Sequence, residues 1–267
     1  RYGDWEQESF NRFGRFGDFD GAMELLQMEY MDPENLCHVD YELEESEKTN
    51  GPKHPKTLRA VFDRAQMHYD SCIANLACGE FAEEHIPEEQ RPDMLAHFAE
   101  QFRRAKDGAE EEEETLGPNH LDTLLYMDRL AMLLHDQANM AEAGSGRYAE
   151  AEMMMRKAVN GRTVRLGPDH ADTLVSVTNL AIMLKQRGNL REAEPFFKRA
   201  WEGRRRWYGI THFETIYSLG YLLHVLKKMD RVYEARQLCT LELERCCAEI
   251  GEAHDITITL ANELTEM

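Results

Sequence analysis

Long apolar runs are missing from this sequence. The most apolar stretch, Leu124 to Leu134, is interrupted by Asp128 and Arg129, and nothing approaches the roughly 20 consecutive apolar residues that cross a bilayer. Membrane insertion is not expected. Cysteines at metal or redox spacing are missing too. Cys37, Cys72, Cys78, Cys239, Cys246 and Cys247 include no Cys-x-x-Cys pair, so buried, reduced thiols are expected in place of a zinc or disulfide framework. There is no phosphate loop, no nucleophile with a base at a recognisable spacing and no cluster of metal ligands in the sequence. No catalytic residue, cofactor or metal site is therefore expected, and the chain does not read as an enzyme. The opening Arg1-Tyr2-Gly3-Asp4-Trp5 has no basic n-region and no apolar core, so no signal peptide is expected. The cytoplasm is the compartment expected, with an organelle as the alternative where a transit peptide has been removed.

Positive charge is scarce. Lys and Arg number 31 against 50 Asp and Glu, a net charge of −19. The imbalance lies in residues 1–116, which hold 29 acidic and 12 basic side chains, whereas the remainder is close to neutral. Such a half repels a phosphate backbone, which argues against nucleic acid as a partner and for a protein with a basic surface.

A repeat organises what is present. Gly51-Pro52-Lys53-His54-Pro55-Lys56-Thr57 returns as Gly117-Pro118-Asn119-His120-Leu121-Asp122-Thr123 and as Gly167-Pro168-Asp169-His170-Ala171-Asp172-Thr173. Two looser copies, Gly209 to Thr215 and Gly251 to Thr257, keep the Gly, the His and the Thr. The histidine spacings are 66, 50, 42 and 42 residues, so the two early units carry insertions. The cleanest unit has apolar residues at Leu174, Val177, Leu180, Ala181 and Leu184, a break at Gly188-Asn189, and a second periodic run through Ala193, Phe197 and Ala200. That pattern is helix, turn, helix. Within the landmark, Pro55 suits the first helical position, which puts His54 at the N-cap and Thr57 in the first turn. One histidine per repeat cannot gather around one ion, so these residues read as structural.

The Gly-Pro-x-His-x-x-Thr-Leu linkers and the triplet Asn179-Leu180-Ala181 resemble the tetratricopeptide repeats of kinesin light chains, most closely over residues 115–267. The resemblance implies an all-α fold, a tetratricopeptide-type α-solenoid of about four to five helix-turn-helix repeats wound as a right-handed superhelix. The chain lacks the heptad coiled coil that would join a motor heavy chain, so it is not read as a motor subunit. Residues 1–50 are expected to be a degenerate helical repeat or a docking segment bearing Trp5, Phe10, Phe13, Phe16 and Phe19. Residues 51–116 are a divergent repeat with an acidic insertion, and 117–267 the regular repeats. Asn139 to Tyr148 are expected to form a surface loop.

The same resemblance implies that first helices line a concave surface. Six residues beyond the landmark threonines Thr123, Thr173, Thr215 and Thr257 lie Arg129, Asn179, Tyr221 and Glu263, and only Asn179 keeps the amide of the motif. Partner-binding residues are expected at Arg129, Met132, Asn179, Ile182, Lys185, Tyr217, Tyr221, His224 and Lys228. The function this implies is a non-catalytic scaffold or adaptor that holds a peptide or helix of a partner. The alternative is a permanent subunit of a larger multiprotein complex. A second patch, Arg204-Arg205-Arg206-Trp207-Tyr208, reads first as cations complementing a helix C-terminus.

Overall fold

The computed structural model describes residues 33–77, 91–111, 117–140 and 145–267. The N-terminal aromatics, the segment 78–90 and most of the Glu110–Glu114 run lie outside the described residues. Ten helices and no strand occur among the described residues. They fall into two compact units that meet in sequence between Arg165 and Leu166.

The first unit holds α1 (Pro33–Asn50), α2 (Pro55–Ala77), α3 (Arg91–Glu111), α4 (Leu121–Met140) and α5 (Ser145–Leu166). Phe62 of α2 anchors its core, with its ring centroid 5.2 Å from that of Phe102 on α3 and 4.7 Å from that of Tyr126 on α4. The second unit holds α6 (Ala171–Gln186), α7 (Leu190–Tyr208), α8 (Phe213–Lys228), α9 (Val232–Ile250) and α10 (Asp255–Thr265). Each of these packs on the next. Leu174, Val177, Leu180, Ala181 and Leu184 are all buried, as are Ala193, Phe197 and Ala200 of the facing helix. The period read from the sequence is the one the core uses.

Each landmark is a cap. His54, His120, His170, His212 and His254 accept at Nδ1 from the backbone N–H two residues on, at 3.2 to 3.3 Å. An Nδ1 that accepts leaves the ring proton on Nε2 and satisfies one of the helix's orphan N–H groups. The landmark glycines hold φ between 75° and 100°, the left-handed region in which a Cβ is strained. Between α8 and α9 the position of Gly188 is taken by Asp230, which keeps φ at 60°; Asp is among the few residues that tolerate it.

Two features depart from the sequence reading. The insertion after Thr123 is not a ten-residue loop. Its described ends are helix: α4 runs to Met140 and α5 starts at Ser145, so that α4 spans 20 residues and α5 spans 22, against 16 and 19 for α6 and α7, while residues 141–144 lie outside the described residues. The start of α5 runs on into Ala149-Glu150-Ala151-Glu152-Met153, residues that favour helix. The second feature is a glycine opposite each landmark leucine. A Cβ built on Gly108 would lie 2.5 Å from Leu58, on Gly161 2.5 Å from Leu124, and on Gly203 2.8 Å from Leu174. The leucine that follows the landmark threonine therefore seats in a hole on the second helix, which only glycine leaves open.

That contact sets the sign of a substitution. In an exposed helix Gly→Ala stabilises by about 1 kcal/mol, but Gly203→Ala should destabilise by about 1 kcal/mol or more, because the buried Leu174 has to move. In a Leu174→Ala background the same change should stabilise; a urea double-mutant cycle reads the reversal. Ala181→Gln should cost about 1 to 3 kcal/mol by overpacking the same helix pair. An unchanged melting temperature by circular dichroism would show that the register is wrong.

Candidate partner-binding groove

The landmark turn starts each first helix at the same phase, so residues counted from its threonine share a face across repeats. On α6 this places Asn179, Ile182 and Lys185 at helical spacing, and on α8 Tyr217, Tyr221, His224 and Lys228. Side chains of these two helices meet on that face: Lys185 Nζ lies 4.9 Å from the Tyr221 ring centroid. Cation–π pairs of this kind are worth about 0.5 to 1 kcal/mol when exposed.

An aromatic floor runs beneath. Phe213 stacks on Tyr217 at 6.2 Å, Tyr217 meets Tyr221 edge-on at 4.8 Å, and Tyr221 stacks on Phe197 of α7 at 5.1 Å. The two tyrosine hydroxyls are hydrogen-bonded to each other at 2.7 Å. Cations crown the C-terminal end. His224 and Lys228 are exposed, and Lys228 has no ion-pair partner among the described residues. Lys227 is committed elsewhere, donating to Glu263 of α10 at 2.6 Å. Burial lowers the His224 pKa, and Lys185, Lys228 and Lys227 lower it further against the opposing Glu263. The imidazole is thus held neutral at pH 7, surrounded by charge that would welcome an anion.

Of the nine expected groove residues, Asn179, Ile182, Lys185, Tyr217, Tyr221, His224 and Lys228 share this surface of the second unit. Arg129 and Met132 lie on α4 of the first unit, the former exposed and the latter half-buried. In that unit the first-helix face is acidic. Arg59 spans Asp63 of its own helix at 2.9 Å and Asp122 of α4 at 2.8 Å, beside Glu42 and Glu45 in a shallow recess. Burial raises the Asp63 pKa, opposed by Arg59 and reinforced by Asp122 and Glu42.

Of the Arg204-Arg205-Arg206 run, Arg204 is turned inward, Arg205 is half-buried and Arg206 is exposed. Arg204 is buried and donates to Glu214 at 2.9 Å, Thr178 at 2.9 Å and Ser218 at 2.6 Å. It therefore rivets its own repeat to the next. Arg205 lies 3.7 Å from the buried Glu242, and Arg206 forms a two-pronged pair with Asp169. Sequence reasoning took these as dipole-complementing cations and missed the rivet. The available signal was the recurrence of Gly161-Arg162 in Gly203-Arg204 at the repeat interval, and Arg162 also sits buried, 3.8 Å from the buried Asp128. Of the three cysteines whose burial is described, two fit the expectation of burial and Cys247 is half-buried. Cys239 and Cys246 are buried, with burial pushing each thiol up to about 12. Among the described residues no group of His, Cys, Asp and Glu converges on a metal position, and no helix is long and apolar enough to cross a membrane.

Residues 140–206 match the tetratricopeptide repeat family. That segment carries tetratricopeptide repeats. Solved structures agree with that fold. A kinesin light chain from Podosopora anserina, with nearly identical TPR-like repeats, superposes with a TM-score of 0.59 at 17% identity, covering 80% of this chain and 86% of that one. BtubC (BKLC) from P. vanneervenii superposes at 0.53 and 13% identity, over 86% and 84% of the two chains. No curated protein matches the chain. Tetratricopeptide repeats of this kinesin light chain-like type form an all-α solenoid fold, and such folds act generally as scaffolds for protein–protein interaction.

The rivet makes a distinction between neighbouring arginines testable. Arg204→Met should destabilise this tetratricopeptide chain by about 1 to 3 kcal/mol, since it strips partners from buried hydroxyls, and Arg204→Lys should not restore it, because one ammonium lacks the fork that meets three acceptors. Arg206→Met, which removes an exposed pair, should leave the urea midpoint nearly unchanged.

Proposed function

We propose that the chain is an adaptor and that the groove of its second unit holds an extended peptide or a helix of a partner protein. The observation that carries this reading is the juxtaposition of an aromatic floor, Tyr217 and Tyr221, with Lys185 over one ring and Lys228 at the rim. The fold does not need it: Arg204, Glu214 and the buried leucines hold α6 and α8 together beneath that surface. Apolar and aromatic side chains with a few placed cations suit a peptide that carries carboxylates among apolar residues. Asn179 would add an amide for the ligand backbone. On the first unit the acidic first-helix face suits a basic surface of the same or another partner.

A second reading is supported by a separate observation. Of the positions equivalent to Asn179, Tyr221 is stacked on Phe197 and Glu263 is paired with Lys227, so little of the ligand-gripping pattern remains. A permanent subunit of a larger complex would make contacts elsewhere on its surface.

Peptides selected from a random display library on the wild-type chain should be enriched in Asp and Glu. Their affinity for a Lys185→Glu, Lys228→Glu variant should fall at least about tenfold. Binding should also strengthen as the pH falls toward the ordinary imidazole range. A carboxylate ligand favours the protonated form of His224, so binding takes up a proton, and His224→Ala should abolish that pH dependence. Equal affinity of the selected peptides for the charge-reversed variant would rule out this groove.

A further inference from the structure

In the repeats built from α4 with α5 and from α6 with α7, the landmark loop lies against the end of the second helix along a seam. In the second unit the seam beside α7 is closed by charge. Arg206 donates to Asp169 at 2.8 and 3.1 Å, and Arg199 donates to the carbonyl of Pro168 at 3.1 Å. Aligned on the glycines that end the two second helices, Gly167 and Gly209, the residues at Arg206 and Arg199 become Val164 and Lys157 on α5. In the loop, Asp169 becomes Asn119. Both halves of the ion pair are gone, and Arg199, which reaches the loop, is replaced by Lys157, which makes no hydrogen bond to it.

The seam of the first unit is consequently open. A cleft of about 580 Å³ lies between the Pro118-Asn119 loop and α5. Its apolar side is built from Leu124, Met127 and Val164, the last 84% exposed. Its rim carries Lys157 and Arg165, neither of which has an ion-pair partner among the described residues. No carboxylate lines it. A concave, partly apolar space of that size with two cations at its edge suits one large side chain beside negative charge.

We propose that this cleft is a second docking site, separate from the first-helix groove, and that it takes an acidic segment of a partner protein carrying one large apolar side chain. The side chain packs on Val164 over the Leu124–Met127 floor. The flanking carboxylates meet Lys157 and Arg165, and the Asn119 amide is placed to hydrogen-bond the segment's backbone. The chain is negative as a whole, but the two ionised side chains that line the cleft, Lys157 and Arg165, are both positive, and they are the charges a bound segment meets directly.

The neighbouring repeat supplies the test. Val164→Arg combined with Asn119→Asp transplants the ionic closure found at Arg206 and Asp169, and should fill the cleft without loss of fold. The probe is a capped Asp-Glu-Phe-Asp-Glu peptide titrated into the isotopically labelled full chain and followed by amide chemical shifts. Saturable shifts centred on Val164 and Lys157 are expected, at least about tenfold weaker in the transplanted variant and unchanged in Lys228→Glu. A peptide with Lys in place of Asp and Glu should not bind. Absence of saturation at millimolar peptide, or equal affinity for the transplanted variant, overturns the proposal. Loss of binding in Lys228→Glu alone would place the peptide in the groove, retaining the adaptor reading and discarding this one. Should the transplanted variant melt early, Lys157→Glu with Arg165→Glu leaves the packing intact and must give the same loss.

Discussion

The contact between a landmark leucine and a glycine on the following helix is what the repeats depend on. Leu58 seats against Gly108, Leu124 against Gly161 and Leu174 against Gly203. Each leucine is buried essentially completely, so each removes a full aliphatic side chain from water, worth about 1.5 to 3 kcal/mol. The hole exists only because the second helix has no Cβ there, and the knob points into it only because the histidine cap starts the first helix at a fixed phase. The cap, the helix phase and the glycine are one device. In the next repeat both sides have changed, to Ile216 and, in alignment with Gly251, to Arg245, which pairs with Glu242.

This device explains what was legible in the sequence. The five histidine landmarks were readable because capping is local: a Gly, a His and a Thr at fixed spacing define the turn without reference to anything distant. The core of α6 and α7 was readable because its period is helical and its break falls at Gly188. The glycine holes were not readable in the same way. Gly161 and Gly203 look like weak points in a helix until the leucine opposite is known. The insertion beyond Asn139 was misjudged for a related reason, since its Gly144-Ser145-Gly146 suggested a loop while flanking Ala, Met and Glu carried the helices through most of it. The Arg204 rivet depends on partners at Thr178, Glu214 and Ser218, three positions on two other helices, which no local pattern announces.

The candidate site divides along the same line. Residues at fixed offsets from the landmark do share a face on α6 and α8, so their common placement followed from counting. Their chemistry did not. That Lys185 covers the Tyr221 ring, that Tyr217 and Tyr221 share a hydrogen bond, and that Lys227 is spent on Glu263 are properties of neighbouring side chains. They separate the positions that hold the fold from those that face outward. Under the proposed adaptor function, opposite charge on the two first-helix faces, acidic around Asp63 and Asp122 and basic around Lys185 and Lys228, would give each unit its own preference in partners.

An adaptor and a permanent subunit differ most plainly in how they travel. The direct measurement is the mass and composition of the species carrying this chain when it is isolated gently from its source, first at low and then at high salt. The adaptor account predicts a chain that is mostly free at high salt, with substoichiometric partners retained only at low salt, because charge-steered contacts are screened. Recovery in one fixed stoichiometry that survives high salt would contradict it and identify the chain as a built-in part of a larger assembly.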